Sequence, residues 1–144
     1  MVVADGQGVP LGNLLESASA AEVNLIERTL ARVSVRRRGR GRPRQKPVRL
    51  IYDKAADADA LRKRLRSRGI DLICPHRRNR KRASLQDGRK LRRYKRRWKV
   101  ERTFSWVGNF RRLVVRWDRH IEVYRGFFHI ACMLITLNKL LNGF

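Results

Sequence analysis

The stretch V-R-L-I-Y-D-K-A-A-D-A-D-A-L-R-K-R-L-R-S-R-G-I-D-L-I-C, Val48 to Cys74, decides the fold class. Its first five residues, Val48 to Tyr52, form a short apolar run suited to a buried strand, and the run stops at Asp53. From Ala55 to Arg68 the pattern changes to a helical one, with Leu61 and Leu65 four residues apart on one face and Gly69 as the stop signal. Ile70 to Cys74 is a second short apolar run, broken by Pro75. Strand, acid, helix and strand in that order predict an α/β sheet with helices packed on its faces.

Outward from this unit the chain stays legible. Toward the N-terminus, two apolar runs flank D-G-Q-G-V-P, Asp5 to Pro10, where Asp and Gly favour a tight turn and predict a β-hairpin. Val23, Ile26, Leu30 and Val33 recur at the helical period and predict an amphipathic helix between Ala20 and Val33. Residues 35–47 and 75–86 carry dense Arg and Lys without periodicity and are predicted as basic loops. A long helix is predicted over 87–112 and a C-terminal helix over 120–141, within one domain spanning 1–144.

Thirty-six Lys and Arg stand against twelve Asp and Glu, a formal charge of +24. A field of that size calls for a polyanion, and nucleic acid is the commonest one. With 42% hydrophobic residues the chain can also build a core, which argues against wholesale disorder. Cys74 and Cys132 are isolated and spell neither a disulfide framework nor a zinc ribbon, so a reducing, cytoplasmic setting is expected. The longest apolar stretch, Ile130 to Leu137, falls well short of the ~20 residues a bilayer span requires, so no membrane partner is expected.

Acids this scarce are informative. Asp53, at the C-terminal end of a predicted strand, sits where α/β sheets place ligand and metal sites, although an Asp there also caps the helix that follows. Glu101 stands alone among cations in Y-K-R-R-W-K-V-E-R-T-F-S-W, and at ~100° per residue Tyr94, Arg97, Glu101 and Gly108 fall within about 60° of one another. An ion pair of Glu101 with Arg97 four residues earlier is the plain alternative. Trp98, Phe104, Trp106 and Phe110 read as core residues rather than base-stacking platforms, His76, two residues after Cys74, is too little for a metal site, and His120 and His129 read as structural.

At these residues a resemblance enters. Y-D-K-A-A-D-A-D-A-L-R-K-R-L-R-S-R-G-I, Tyr52 to Ile70, resembles the segment around the second catalytic aspartate of DDE-type insertion-sequence transposases of the IS-four and IS-five-like group. R-W-K-V-E-R-T-F-S-W-V-G-N-F-R-R-L-V-V-R-W-D-R, Arg97 to Arg119, resembles that family's Y-x(2)-R-x(3)-E-x(6)-K signature, with Tyr94, Arg97 and Glu101 in the tyrosine, arginine and glutamate positions. V-A-D-G-Q-G-V-P-L-G and I-A-C-M-L-I-T-L-N-K-L-L extend the likeness over nearly the whole chain. Gly108 stands at the lysine position, with Arg111 or Arg112 one turn on as substitutes, and Ala55 and Ala56 replace a common glycine and tyrosine near Asp53.

The resemblance implies an RNase H-like mixed sheet flanked by helices, N-terminally truncated, with a long C-terminal helical region. It places the first catalytic aspartate upstream of the segment where this chain starts, and Asp5 belongs to the following turn. It further implies DNA strand cleavage and transfer at insertion-sequence ends on two Mg²⁺ or Mn²⁺ ions, with Asp53 and Glu101 as two of three carboxylate ligands. Tyr94, Arg97, Arg111 and Arg112 would contact DNA, and a homo-oligomer on double-stranded DNA is expected. The rivals are a non-catalytic basic nucleic-acid-binding protein and a decayed or regulatory fragment, and indifference of metal binding to Asp53→Asn and Glu101→Gln would favour the former.

Overall fold

The computed structural model describes residues 1–17, 19–81 and 87–142. Strands β1 (Val2–Ala4) and β2 (Pro10–Asn13) form an antiparallel hairpin with Val2 opposite Asn13 and a register shift between Val3 and Ala4. The Asp5 side chain shapes the turn by accepting from the backbone N–H groups of Gln7 (2.7 Å) and Val9 (2.9 Å). Helix α1 (Glu22–Leu30) follows, with Leu25, Ile26 and Leu30 buried.

The unit around Asp53 forms as its pattern demands. Strand β3 (Arg49–Ile51) pairs in parallel with β4 (Asp71–Ile73), and helix α2 (Asp59–Ser67) crosses between them. Gly69 at φ +74° ends α2, and the Ile70 and Gly69 N–H groups return to the Leu65 and Arg66 carbonyls at 2.9 Å each. These two bonds satisfy carbonyls that the helix end would leave without partners, and Ile70 and Leu65 are buried together.

Beyond residue 87 the prediction of one long helix is corrected. Helix α3 (Gly88–Leu91) leads into a 3-10 segment, Arg92–Arg97, then helix α4 (Trp98–Gly108) and, after an extended Phe110, the short α5 (Arg111–Val114). Five of the six residues in R-R-Y-K-R-R are cations, and like charges three and four apart oppose the α-helical turn. Helix α6 (Ile121–Asn142) closes the chain.

The architecture is mixed α/β, but among the described residues the strands form two separate two-stranded sheets rather than one mixed sheet. Two buried clusters hold the elements together. One joins Ile26 and Leu30 to Leu61, Leu65, Ile70 and Leu72, with Met1, Val3 and Leu50 packed against it. The other joins Val2 and Val107 to Leu113, Phe128, Ala131 and Ile135. Strand β1 therefore touches both clusters and links the Asp53 unit to the C-terminal helices. Among the described residues no helix is long and apolar enough to cross a membrane.

Basic loop 35–47 is pinched at its base, where Val35 and Arg44 exchange backbone hydrogen bonds of 2.9 and 2.8 Å. Loop 75–86 is described only to residue 81; the remainder of that predicted loop lies outside the described residues.

Candidate nucleic-acid interface and its carboxylates

Asp53 leaves β3 and caps a 3-10 turn, Lys54–Ala56: its Oδ1 accepts from the Ala55 N–H at 2.8 Å. The capping role open to it in the sequence is thus realised. Four residues on lies an acid that the sequence reading passed over. Asp57 is 2% exposed at the side chain and is the hub of a polar cluster. Its Oδ1 accepts from Arg62 Nη2 (3.0 Å) and Nε (3.2 Å) and lies 2.9 Å from His76 Nδ1, while Oδ2 accepts from the Arg77 backbone N–H at 2.9 Å.

Burial alone would discourage ionisation of Asp57. The Arg77 N–H, His76 and Arg62 outweigh it and hold the carboxyl below its ordinary value. The same partners fasten the start of the second basic loop to the Asp53 turn, because Arg77 also donates to the Lys54 and Ala55 carbonyls (3.3 and 3.2 Å) and Arg80 pairs with Asp59 at 2.8 Å. The signal available in the sequence was D-A-D before a helix combined with H-R-R-N-R after a strand, two complementary clusters separated by one βα unit.

Glu101 sits in the first turn of α4 and pairs with Arg97, the ordinary alternative noted for it. Tyr94 and Arg97 belong to the 3-10 segment, which lies against β3, so the ladder leading to Asp53 and the segment leading to Glu101 are neighbours. Lys90 adds a tie between α3 and β4 through Asp71 at 2.9 Å.

What positions α4 is the hairpin turn. Lys99 donates to the Gly6 carbonyl, Arg102 to that of Gln7 (2.7 Å) and buried Thr103 to that of Gly8 (2.6 Å). Gly8 has φ +85°, and a Cβ there would lie 3.1 Å from the Lys99 carbonyl oxygen, so glycine is required by both backbone and space. None of Lys99, Arg102, Thr103 and Gly8 was singled out from the sequence.

The aromatic prediction is corrected in part. Trp106 and Phe110 pack against the second cluster, but Trp98 and Phe104 are exposed. Arg102 lies between Trp98 and Trp106, 4.9 and 5.1 Å from their ring centres. Arg111 is exposed, and Arg112 stacks over Phe127 at 4.5 Å. Both cysteines are buried with thiols pushed up to about 11 by desolvation, which makes them poor nucleophiles at neutral pH.

A divalent-metal pair would need several oxygen ligands. Among the described residues no group of three or more His, Cys, Asp or Glu side chains is arranged to hold a metal, and Asp53 and Glu101 are each engaged by the neighbours named above. On their own these residues do not fit a complete metal centre.

Comparison with known proteins supplies the context. The family described as the transposase DDE domain matches residues 1–136. A relative from Burkholderia cepacia, "Putative transposase for insertion sequence element IS402", is 34% identical over 139 residues, which cover 96% of this chain and 62% of the relative. The chain thus spans less than two thirds of that relative's length. No solved structure matches.

Proposed function

The chain belongs to the DDE transposase-domain family, and from that premise we propose that it serves DNA transposition, binding double-stranded DNA at insertion-sequence ends as part of a strand-cleaving and strand-transferring enzyme in the cytoplasm. The observation that carries this reading is the placement of charge. A loop whose start is fastened by Asp57 to the turn after Asp53, and the cationic segment 92–97, which lies against β3, both border the strand and turn that carry Asp53, on a chain of net charge +24. Fastened cations lose little entropy when phosphates arrive, and they hold the duplex by its backbone rather than by base sequence.

The family generally uses divalent metal ions. In this reading Asp53 and Glu101 are the two carboxylates that this chain contributes toward a Mg²⁺ or Mn²⁺ site, and ligands beyond the described residues complete it. Arg97 and Tyr94 orient Glu101, and Arg111 and Arg112 contact DNA. The hairpin, α1 and the parallel β3–α2–β4 unit are read as parts of one RNase H-like domain.

Two titrations test the proposal. Binding to duplex DNA measured over a salt series should weaken by roughly 10³–10⁵ between about 50 and 200 mM salt, as for 6–10 neutralised phosphates. Absence of DNA binding at low salt would overturn the reading. Mn²⁺ binding, followed by electron paramagnetic resonance on the DNA-bound chain, should fall in Asp53→Asn and Glu101→Gln while DNA affinity holds. Metal binding that ignores both substitutions would leave a basic DNA-binding module and remove the two carboxylates from the proposed site.

A further inference from the structure

Loop 35–47 carries its charge differently from the other cationic segments. Val35 and Arg44 close its base, Val33 just before them is buried, and Lys46 ties the outgoing chain to the Arg68 carbonyl at 2.8 Å. Beyond that pinch residues 36–43 stand exposed. Among the described residues no ion pair or side-chain hydrogen bond engages Arg36, Arg37, Arg38, Arg40 or Arg42, whereas Arg62, Arg80 and Arg97 each have a carboxylate partner.

The spacing R-G-R-G-R-P, Arg38 to Pro43, is more than phosphates require. A long cationic side chain reaches a phosphate whatever residue stands beside it, and Arg92–Arg97 accordingly sets Tyr94 among its cations and contains no glycine. Gly41 has φ +129°, so the bend of the loop itself demands it. Gly39 has neither a positive φ nor any atom within 4 Å of the place its Cβ would take. Nothing in the fold asks for glycine there, and glycine raises the entropy lost when a loop is ordered. What a missing side chain offers at such a position is close approach of the backbone to a surface outside the molecule.

The minor groove of B-DNA is a surface of that shape. At about 6 Å wide and 7.5 Å deep, it excludes a helix of about 10–12 Å but admits an extended backbone. The eight residues between Val35 and Arg44, four out and four back at ~3.3 Å each, reach roughly 13 Å, enough for the groove floor. Entering edge-on, the loop is one backbone thick at Gly39 and Gly41, and Pro43 keeps Arg42 extended. Arg38, Arg40 and Arg42 then run along the floor.

Chemistry at the floor chooses the bases. A guanidinium has five donors and no acceptor. Adenine N3 and thymine O2 are acceptors, whereas a G·C pair sets a donor amino group in the groove. Stiff A·T tracts also narrow the groove and deepen its negative potential. A guanidinium, more weakly hydrated than an ammonium, gives up its water there at less cost.

We propose that residues 36–43 read the minor groove of A·T-rich duplex DNA, on the premise that the chain binds duplex DNA at all. Base composition is thereby recognised by this loop, in addition to the phosphate contacts made by the fastened cations.

The experiment is fluorescence anisotropy of the full chain, near 150 mM salt, with labelled duplexes identical except for a central run of A·T, G·C or inosine·cytosine pairs. Inosine lacks the amino group of guanine, so its pairs combine the major-groove face of G·C with the minor-groove acceptors of A·T. The A·T and inosine duplexes should bind about tenfold more tightly than the G·C duplex. Gly39→Val keeps every charge, and a Cβ there meets nothing within 4 Å; it should bring all three duplexes to the G·C level. Equal binding of the three by the wild type, or a preference for G·C, overturns the proposal and leaves the DNA reading standing. Binding of A·T tighter than both others overturns it by placing the readout in the major groove, and a preference that survives Gly39→Val overturns the assignment to this loop. Absence of binding to every duplex at low salt overturns the proposal together with its premise.

Discussion

Asp57 and Glu101 each face an arginine, yet the two pairs belong to different physical regimes. Asp57 and Arg62 are 2% and 11% exposed at their side chains, and the carboxylate's remaining capacity is taken by His76 and the Arg77 N–H. Glu101 and Arg97 are 57% and 38% exposed and meet four residues apart along one helical stretch. A desolvated, fully hydrogen-bonded charge is costly to orphan, whereas a hydrated pair is screened and nearly dispensable. The difference suits the roles proposed for them. Asp57 builds the platform beside Asp53, and Glu101 remains available to the solvent side.

The largest effect should come from Asp57→Ala, which strands Arg62 without its carboxylate and frees the Arg77 backbone N–H. A loss of about 3–5 kcal/mol in denaturant unfolding is expected. The loss should be pH-dependent with a defined sign. Because the folded state holds the Asp57 carboxyl below its ordinary value of 3.8, its contribution is complete above that value and disappears as pH falls through the folded-state titration. The stability gap between the wild type and Asp57→Asn should therefore narrow on acidification from about pH 5 to about pH 2. A gap that is constant across that range would mean that the cluster is held by shape alone, and the contrast with Glu101 would collapse.

Gly8→Ala probes how α4 is carried. The new Cβ would sit in a left-handed conformation and 3.1 Å from the Lys99 carbonyl, at a cost of about 1–3 kcal/mol. Since Lys99, Arg102 and Thr103 all bond to this turn, the variant should also loosen α4, visible as faster amide exchange around Thr103 with α2 unaffected. Exchange rising equally in α2 would show that the two regions unfold as one unit.

These contrasts also explain what could be read from residues alone. The Val48–Cys74 unit was legible because every boundary has a local cause: an apolar run, a capping acid, Gly69 at positive φ, and Pro75. The long helix over 87–112 was not, because charge density rather than apolar period governs Arg92–Arg97. Trp98 and Phe104 have helical spacing, but the hairpin turn claims the face of Thr103 and Val107, and at ~100° per residue Trp98 falls roughly 140° and Phe104 roughly 100° away from Thr103. Asp57 escaped notice because its partners, His76 and Arg77, arrive from a loop about twenty residues later. Asp53 and Glu101 were found through their sequence context, and their nearest partners are the plain ones, a cap and an i,i+4 pair.

The smallest effect should be Arg97→Ala. An exposed pair at this spacing contributes about 0.3–0.5 kcal/mol at low salt, and at 1 M salt, where charges are screened beyond ~3 Å, the difference should vanish. A double-mutant cycle with Glu101→Gln isolates the pair from any effect of Arg97 on the 3-10 segment itself. If the coupling is a few tenths of a kcal/mol while DNA affinity falls several-fold in Arg97→Ala, the arginine is kept for the phosphate and not for the fold. If instead the coupling exceeds about 1 kcal/mol and persists in salt, Glu101 is held as firmly as Asp57. A metal would then have to compete with a fixed guanidinium for its oxygens, and the case for Glu101 as a ligand would fail on stability grounds before any cleavage assay is run.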